Sequence, residues 1–267
     1  MTHSAVDVRV EWIEHANGRI RVLRSGEGPP VLFLHPAAGA LPWNGFHERL
    51  ARFHELVVPE HPGFGESSDF PDLAGMSALA DHYQWLVPQL GLHRPALVGA
   101  SLGGWLAAEL ACRDPASVTA LALLGAPGLE VPGADYLDIF ALSPAEVGAA
   151  LFDGPRPPAP AGEPPDTALA ARQRAATARF CQSPLLCDPS LRHRLERITS
   201  RCCVVRAAND AVVPAAIADA YAAGIGGAEL VTVPRCGHAL YYERPDEFAD
   251  VVLGFLGTAS ARTGDRR

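Results

Sequence analysis

Apolar and polar residues alternate over residues 6–14 and again over 19–24, with Ala16-Asn17-Gly18 between them. Period-two alternation broken at Asn-Gly predicts a β-hairpin with one face exposed to water. Further on, the runs at 31–34, 55–58, 96–98 and 118–124 are short and almost wholly apolar. That is the pattern of strands covered on both faces. Helical stretches fall between them. One spans 46–53. A second spans 77–90, with Ser77 as its cap, Gly91 as its stop and Pro88 expected to shorten or kink it. A third, Ala-rich, spans 105–112. Alternating strands and helices predict an α/β fold, a parallel sheet with helices on both faces.

The alternation stops at 128. No convincing strand follows until about 200. Ser143-Pro144-Ala145-Glu146 is a capping box with proline in the first helical position. Residues 153–166 are dense in Pro, Gly and Ala and read as a loop. Residues 167–181 are helical by composition, and Asp188-Pro189 opens a helix with Leu191, Leu195 and Ile198 on one face. This all-helical insertion is either a packing module or a lid over the strand ends. The sheet then resumes at 202–207 and 229–233, with helices from about 214 and over 245–256. The division is therefore a core at 1–127 and 201–257, a helical cap at 128–200, and a polar, disordered tail at 258–267.

A chain of 267 residues, 48% apolar, fits one large-cored domain with an insertion. The net charge of −8 argues against a nucleic-acid or anionic-membrane partner. All 22 basic residues are arginines. Without lysine there is no Schiff-base chemistry and no Walker-type phosphate lysine. The six cysteines form no Cys-x-x-Cys pair and have no zinc-ligand spacing with histidines. No apolar signal core opens the chain and no run approaches a membrane span, so the expected location is the cytoplasm.

The candidate chemistry centres on Gly99-Ala100-Ser101-Leu102-Gly103-Gly104-Trp105, between the 96–98 strand and the 105–112 helix. Strand, Gly-x-Ser-x-Gly and helix in succession form a nucleophile elbow, where glycines relieve the crowding of a tight turn. The plainer alternative is an ordinary Gly-Ser turn. An activated serine needs a base and an orienting acid, and around a nucleophile elbow the three follow in the order serine, acid, histidine. His238 follows the 229–233 strand, in Cys236-Gly237-His238. Asp210 follows the 202–207 strand, in Asn209-Asp210-Ala211-Val212-Val213-Pro214. Asp210 also suits the cap of the next helix, but Pro214 marks that start better. The oxyanion hole falls to the backbone amides of Leu102 and of Ala37, the latter in the loop after the 31–34 strand.

These residues resemble the α/β-hydrolase superfamily over nearly the whole chain. His35-Pro36-Ala37-Ala38-Gly39 is similar to its oxyanion loop, and Pro59-Glu60-His61-Pro62-Gly63-Phe64-Gly65-Glu66-Ser67 to its Pro-Asp-x-Pro-Gly-x-Gly-x-Ser turn. The elbow, the Asp210–Pro214 loop and the histidine loop complete five motifs in order. The resemblance implies an eight-stranded, mostly parallel sheet, a helical cap after strand six, and no metal or organic cofactor. Pro36 departs from the usual glycine, and Glu60 from the usual aspartate. Epoxide hydrolases and dehalogenases of this fold carry aspartate in place of Ser101, so serine points to acyl chemistry. Ser-Leu-Gly-Gly-Trp is similar to the esterase and meta-cleavage-product branch. The carbon–carbon hydrolases there usually have Asn before the nucleophile and Trp after the histidine; here these are Ala100 and Ala239. Ester hydrolysis therefore ranks first and carbon–carbon hydrolysis second, with a non-hydrolytic enzyme or ligand receptor of the same fold as the third reading.

The expected partner is a small, largely apolar acyl substrate, in a pocket lined by Trp43, Trp105, Leu129, Leu240 and Tyr241. Arg172, Arg174 and Arg179 are either the solvated face of a helix or a grip for a substrate carboxylate. The choice between monomer and homodimer stays open.

Overall fold

A computed structural model describes residues 7–40, 42–155, 166–181 and 186–257. The tail at 258–267 and most of the Pro-rich loop at 153–166 lie outside the described residues.

The alternating segments form the hairpin β1 (Arg9–His15) and β2 (Gly18–Ser25), paired from Arg9↔Arg24 to His15↔Gly18. The apolar runs become β3 (Pro30–Leu34), β4 (Glu55–Pro59), β5 (Ala96–Ala100), β6 (Ala120–Leu124), β7 (Arg201–Ala207) and β8 (Glu229–Val233). They make one eight-stranded sheet in the order β1-β2-β4-β3-β5-β6-β7-β8, antiparallel at β1-β2 and β2-β4 and parallel elsewhere.

Side chains of a strand alternate between faces, and here each face has its own core. Leu32, Leu34, Leu97, Leu121 and Leu123 pack with one cluster, which takes in α2 (Gly75–Gln89), α3 (Leu102–Arg113) and α6 (Ala215–Gly224). Val31, Phe33, Val98, Ala122 and Leu124 pack with the other, against α1 (Gly45–Ala51) and α7 (Pro245–Leu256). Burial on both sides explains why these strands read as continuous apolar runs.

The chain leaves β3 for β4 on one side and returns to place β5 on the other. At such a reversal the connections diverge and leave a crevice beyond the carboxyl ends of the strands. The loops after β3 and β5, which hold His35–Gly39 and Ser101, border that crevice.

Between β6 and β7 lie α4 (Pro144–Leu151), α5 (Thr167–Cys181) and a short 3₁₀ helix, Leu191–Arg197. The capping box at Ser143 and Glu146 is formed. Among the described residues the insertion has no strand, only an isolated bridge between Gly128 and Cys187.

Two elements differ from expectation. α2 starts at Gly75, and the Ser77 hydroxyl accepts from Arg113 at 2.6 Å instead of capping the helix. Pro88 sits in the last turn of α2, which runs on to Gln89. The expected helix after Asp188 is 3₁₀ and not α, over Leu191–Arg197, and is preceded by an Asx turn in which Asp188 accepts from the Ser190 amide. So short a segment gains little from α geometry by itself. Arg194 within it is held by Glu109 at 2.7 and 2.8 Å and by Asp188 at 2.8 Å.

Candidate active site

Ser101 is the one residue between β5 and α3, and it takes φ +50°, ψ −117°. A side chain held in that left-handed region is strained and persists only where the surroundings fix it. The fixing contacts are visible. The Ser101 amide donates to Leu124 O at 2.8 Å, and Ser101 O accepts from Gly104 and Trp105 amides at 2.8 and 3.1 Å. The neighbouring glycines are steric requirements. A Cβ on Gly99 would stand 2.2 Å from Gly103 O, and one on Gly103 would stand 2.0 Å from Leu34 O.

The loops after β7 and β8 bring the two partners over. His238 is buried, with Nε2 at 2.8 Å from Ser101 Oγ and Nδ1 at 2.8 Å from Asp210 Oδ2. The other Asp210 oxygen accepts the Val212 and Val213 amides at 2.9 and 2.8 Å. Burial pushes the Asp210 carboxyl up, but the His238 imidazole and these hydrogen bonds outweigh it and hold the group below its ordinary value. Asp210 therefore stays an acceptor, which keeps the His238 proton on Nδ1 and leaves Nε2 free to take the serine proton.

A cavity of about 630 Å³ opens above Ser101 and His238, a volume suited to a small-molecule ligand. Pro36, Ala37 and Leu102 border its floor. Leu102 opens α3, so no intrahelical carbonyl can take its amide. Among the described residues neither that amide nor the Ala37 amide has a hydrogen-bond acceptor. Two unclaimed donors beside a serine oxygen can stabilise an oxyanion.

The walls differ in part from expectation. Leu240 and Tyr241 line the cavity; Trp43, Trp105 and Leu129 do not. Trp43 stacks on His47, with ring centroids 4.9 Å apart. Trp105 is buried against Gly128, whose added Cβ would stand 2.6 Å from the indole. Leu129 is fully buried in the core. The wall comes instead from Val147 and Leu151 of α4, Thr177 of α5, and the pair Val212-Val213. That pair sits apolar in a loop directly after Asp210, a signal the sequence offered. The arginines of α5 hold backbone. Arg172 donates to Gly65 O, Arg174 to the carbonyls of Ile139, Phe140 and Leu142, and Arg179 to Leu73 O and the Asp69 carboxylate.

The sequence pattern of the alpha/beta hydrolase family matches residues 31–251. The chain belongs to that family. It is 25% identical over 275 residues to a 2-hydroxy-6-oxononadienedioate/2-hydroxy-6-oxononatrienedioate hydrolase of Pseudomonas sp., spanning 90% of this chain and 92% of the relative. It is 30% identical over 264 residues to a putative carbamate hydrolase of Rhizobium rhizogenes, spanning 94% and 97%. A bacterial membrane phospholipase A has a similar structure, with TM-score 0.81 and 25% identity over 93% of this chain and 86% of that one. No helix of this hydrolase-family enzyme, among the described residues, is long and apolar enough to cross a membrane.

One residue of the hydrolase site escaped the sequence reading. The Glu243 carboxylate accepts the Gly237 amide at 2.9 Å and the Asp153 amide at 3.2 and 3.3 Å. Ala239 donates to Leu151 O at 2.6 Å, and Asn209 to Asp153 at 2.7 Å. Residues 151–153 are thus tied to the loops of both the histidine and the aspartate. Gly237 permits the approach, since a Cβ there would stand 2.7 Å from Asp153 N.

Proposed function

We propose that the enzyme hydrolyses a carboxylic ester, or a related acyl substrate, through an acyl-enzyme on Ser101. His238 takes the Ser101 proton as Oγ attacks the carbonyl carbon. The carbonyl π electrons move to oxygen, which the Ala37 and Leu102 amides receive. Collapse of the tetrahedral adduct expels the alcohol, which takes its proton from His238. Water then repeats the sequence on the acyl-enzyme and releases the acid. Asp210 orients the imidazole and stabilises its protonated form. The helical insertion acts as a cap that supplies the apolar wall and keeps bulk water from the acyl group. One observation carries this reading: the unbroken 2.8 Å succession Ser101–His238–Asp210 on the floor of the cavity.

A panel of p-nitrophenyl esters of increasing chain length tests it. Turnover is expected, and it is expected to vanish in Ser101→Ala. Tight binding without turnover would favour a receptor instead.

Carbon–carbon bond hydrolysis is the second reading, supported by similarity to the oxononadienedioate hydrolase over nearly the whole chain. Ala100 and Ala239 weigh against it, standing where that branch usually has Asn and Trp. Faster turnover of a 2-hydroxy-6-oxo-dienoate than of any ester would reverse the ranking.

A further inference from the structure

His61 and Tyr83 lie outside the serine, histidine and aspartate array, yet both are fully buried and connect to the loop that carries Ala37. The His61 ring lies against His35, tilted by 33° with ring centroids 3.7 Å apart. Their hydrogen bonds admit a single proton arrangement. The His61 amide, which can only donate, points at His35 Nε2 at 2.9 Å. His35 Nε2 is therefore an acceptor, and the ring proton is on Nδ1. From there it reaches Pro36 O at 2.7 Å. His61 Nε2 faces His35 O at 3.0 Å. A carbonyl only accepts, so His61 carries its proton on Nε2. His61 Nδ1 then accepts the Tyr83 hydroxyl at 2.5 Å. Reversing either tautomer would set two donors, or two lone pairs, against each other in rings that are fully buried.

The chain of bonds ends on a peptide group that matters. Pro36 O and Ala37 N–H belong to one planar, trans peptide unit and point in opposite directions. His35 Nδ1 and the Gly39 amide, the latter at 3.0 Å, both hold Pro36 O. They thereby fix the direction of the Ala37 amide, whose residue lines the cavity.

We propose that the His61 main-chain amide sets the Nδ1-protonated tautomer of His35 while the His61 imidazole and Tyr83 act as positioning residues on the His35 carbonyl, and that His35 then aims the Ala37 amide at the developing oxyanion. The second half rests on the serine-hydrolase reading above. Pro36 makes the relay more useful, because a residue with no N–H leaves that turn one fewer bond to hold it.

Two measurements test the relay. In protein labelled with ¹⁵N-histidine, long-range proton–nitrogen correlations at pH 7.5 and pH 6 read the tautomers directly, whether or not an ester is turned over. His35 is expected protonated on Nδ1 and His61 on Nε2, unchanged between the two pH values. Assignment of the His35 proton to Nε2, or a mixture in exchange, overturns the proposal. Kinetics on p-nitrophenyl butyrate give the second readout. Tyr83→Phe removes one oxygen and is expected to lower kcat about threefold; His61→Leu is expected to lower it about tenfold or more, both with KM nearly unchanged. A purely structural role would lower the unfolding midpoint and leave kcat per folded molecule alone, and that result overturns the relay. Ser101→Ala separates the two ideas. Turnover that survives it ends the serine reading. Turnover lost in it but intact in both relay variants ends only the relay.

Discussion

Ser101 sits where a left-handed backbone, two steric glycines and the start of α3 coincide. Its chemistry depends on that strain being held in place. Ser101→Ala and His238→Ala are each expected to cut kcat by about 10⁴–10⁶, and Asp210→Asn by somewhat less. The Ser101→Ala/His238→Ala double variant should be little worse than either single one, because the groups act as a unit. Losses that multiply would mean separate roles. Gly103→Ala is a test of the elbow itself. Its new Cβ would meet Leu34 O at 2.0 Å, contact with backbone that cannot swing aside. The expected cost is about 1–3 kcal/mol or more in urea denaturation, with turnover lost as β3 and the elbow are forced apart.

At the scale of elements, the site is assembled from loops that leave one rim of the sheet. The loop after β3 bears Ala37, the turn after β5 bears Ser101, and the loops after β7 and β8 bear Asp210 and His238. α5 is fastened to the loops after β3 and β4. Arg172 grips Gly65 O, and Gln173 donates to Ala38 O at 3.4 Å. The segment after α4 is fastened to the loops of Asp210 and His238, through Glu243 and Asn209. The two helices of the insertion are therefore anchored to opposite halves of the site, with Arg174 bonding from α5 to the carbonyls at 139, 140 and 142. Glu243→Ala leaves the Gly237 and Asp153 amides without their acceptor. It is expected to cost about 1–3 kcal/mol of stability and to lower kcat as the His238 loop loosens. Unchanged turnover together with an unchanged urea midpoint would remove Glu243 from this account.

The molecule as a whole carries several histidines in places too dry to be charged. Burial lowers His35 and His82 to about 4 and His47 to about 3, and lowers His61 well below its ordinary value. Each binds a proton in the unfolded chain near pH 6.5 but stays neutral when folded. Their contribution is thus present above pH 6.5 and is lost as pH falls towards 4. His35, His47 and His82 each cost about 2 kcal/mol between pH 7 and pH 5, at about 1.4 kcal/mol per pH unit once the unfolded group is protonated. Urea denaturation at the two pH values should show a loss of several kcal/mol. Equal stability at both would mean that these rings take up protons in the folded state.

Local pattern was enough for most features written in a short window, though not for the start of α2, where Ser77 bonds Arg113 instead of capping. The eight strands, the capping box at Ser143 and the positions of Ser101, Asp210 and His238 in their loops all depend on neighbours within a few residues. Two-sided burial makes a strand apolar along its length, and a strained turn demands glycine, so both leave a local trace. The destination of a side chain leaves none. Trp43 and Trp105 stand beside motif residues in the sequence, yet one stacks on His47 and the other turns under Gly128. Glu243 looks like any charge before a helix, and His61 like any residue of a turn. Glu243 reaches the Gly237 amide within its own loop, but only the folded chain brings the distant Asp153 amide to it, and only the pairing of β3 with β4 brings His61 to the carbonyl of His35. The sequence by itself determined the fold and the three residue types at its rim, because these follow from burial periodicity and backbone sterics. The tertiary structure alone decided which walls face the cavity and which hydrogen bonds hold the loop after β3, because those depend on distances between segments far apart in the chain.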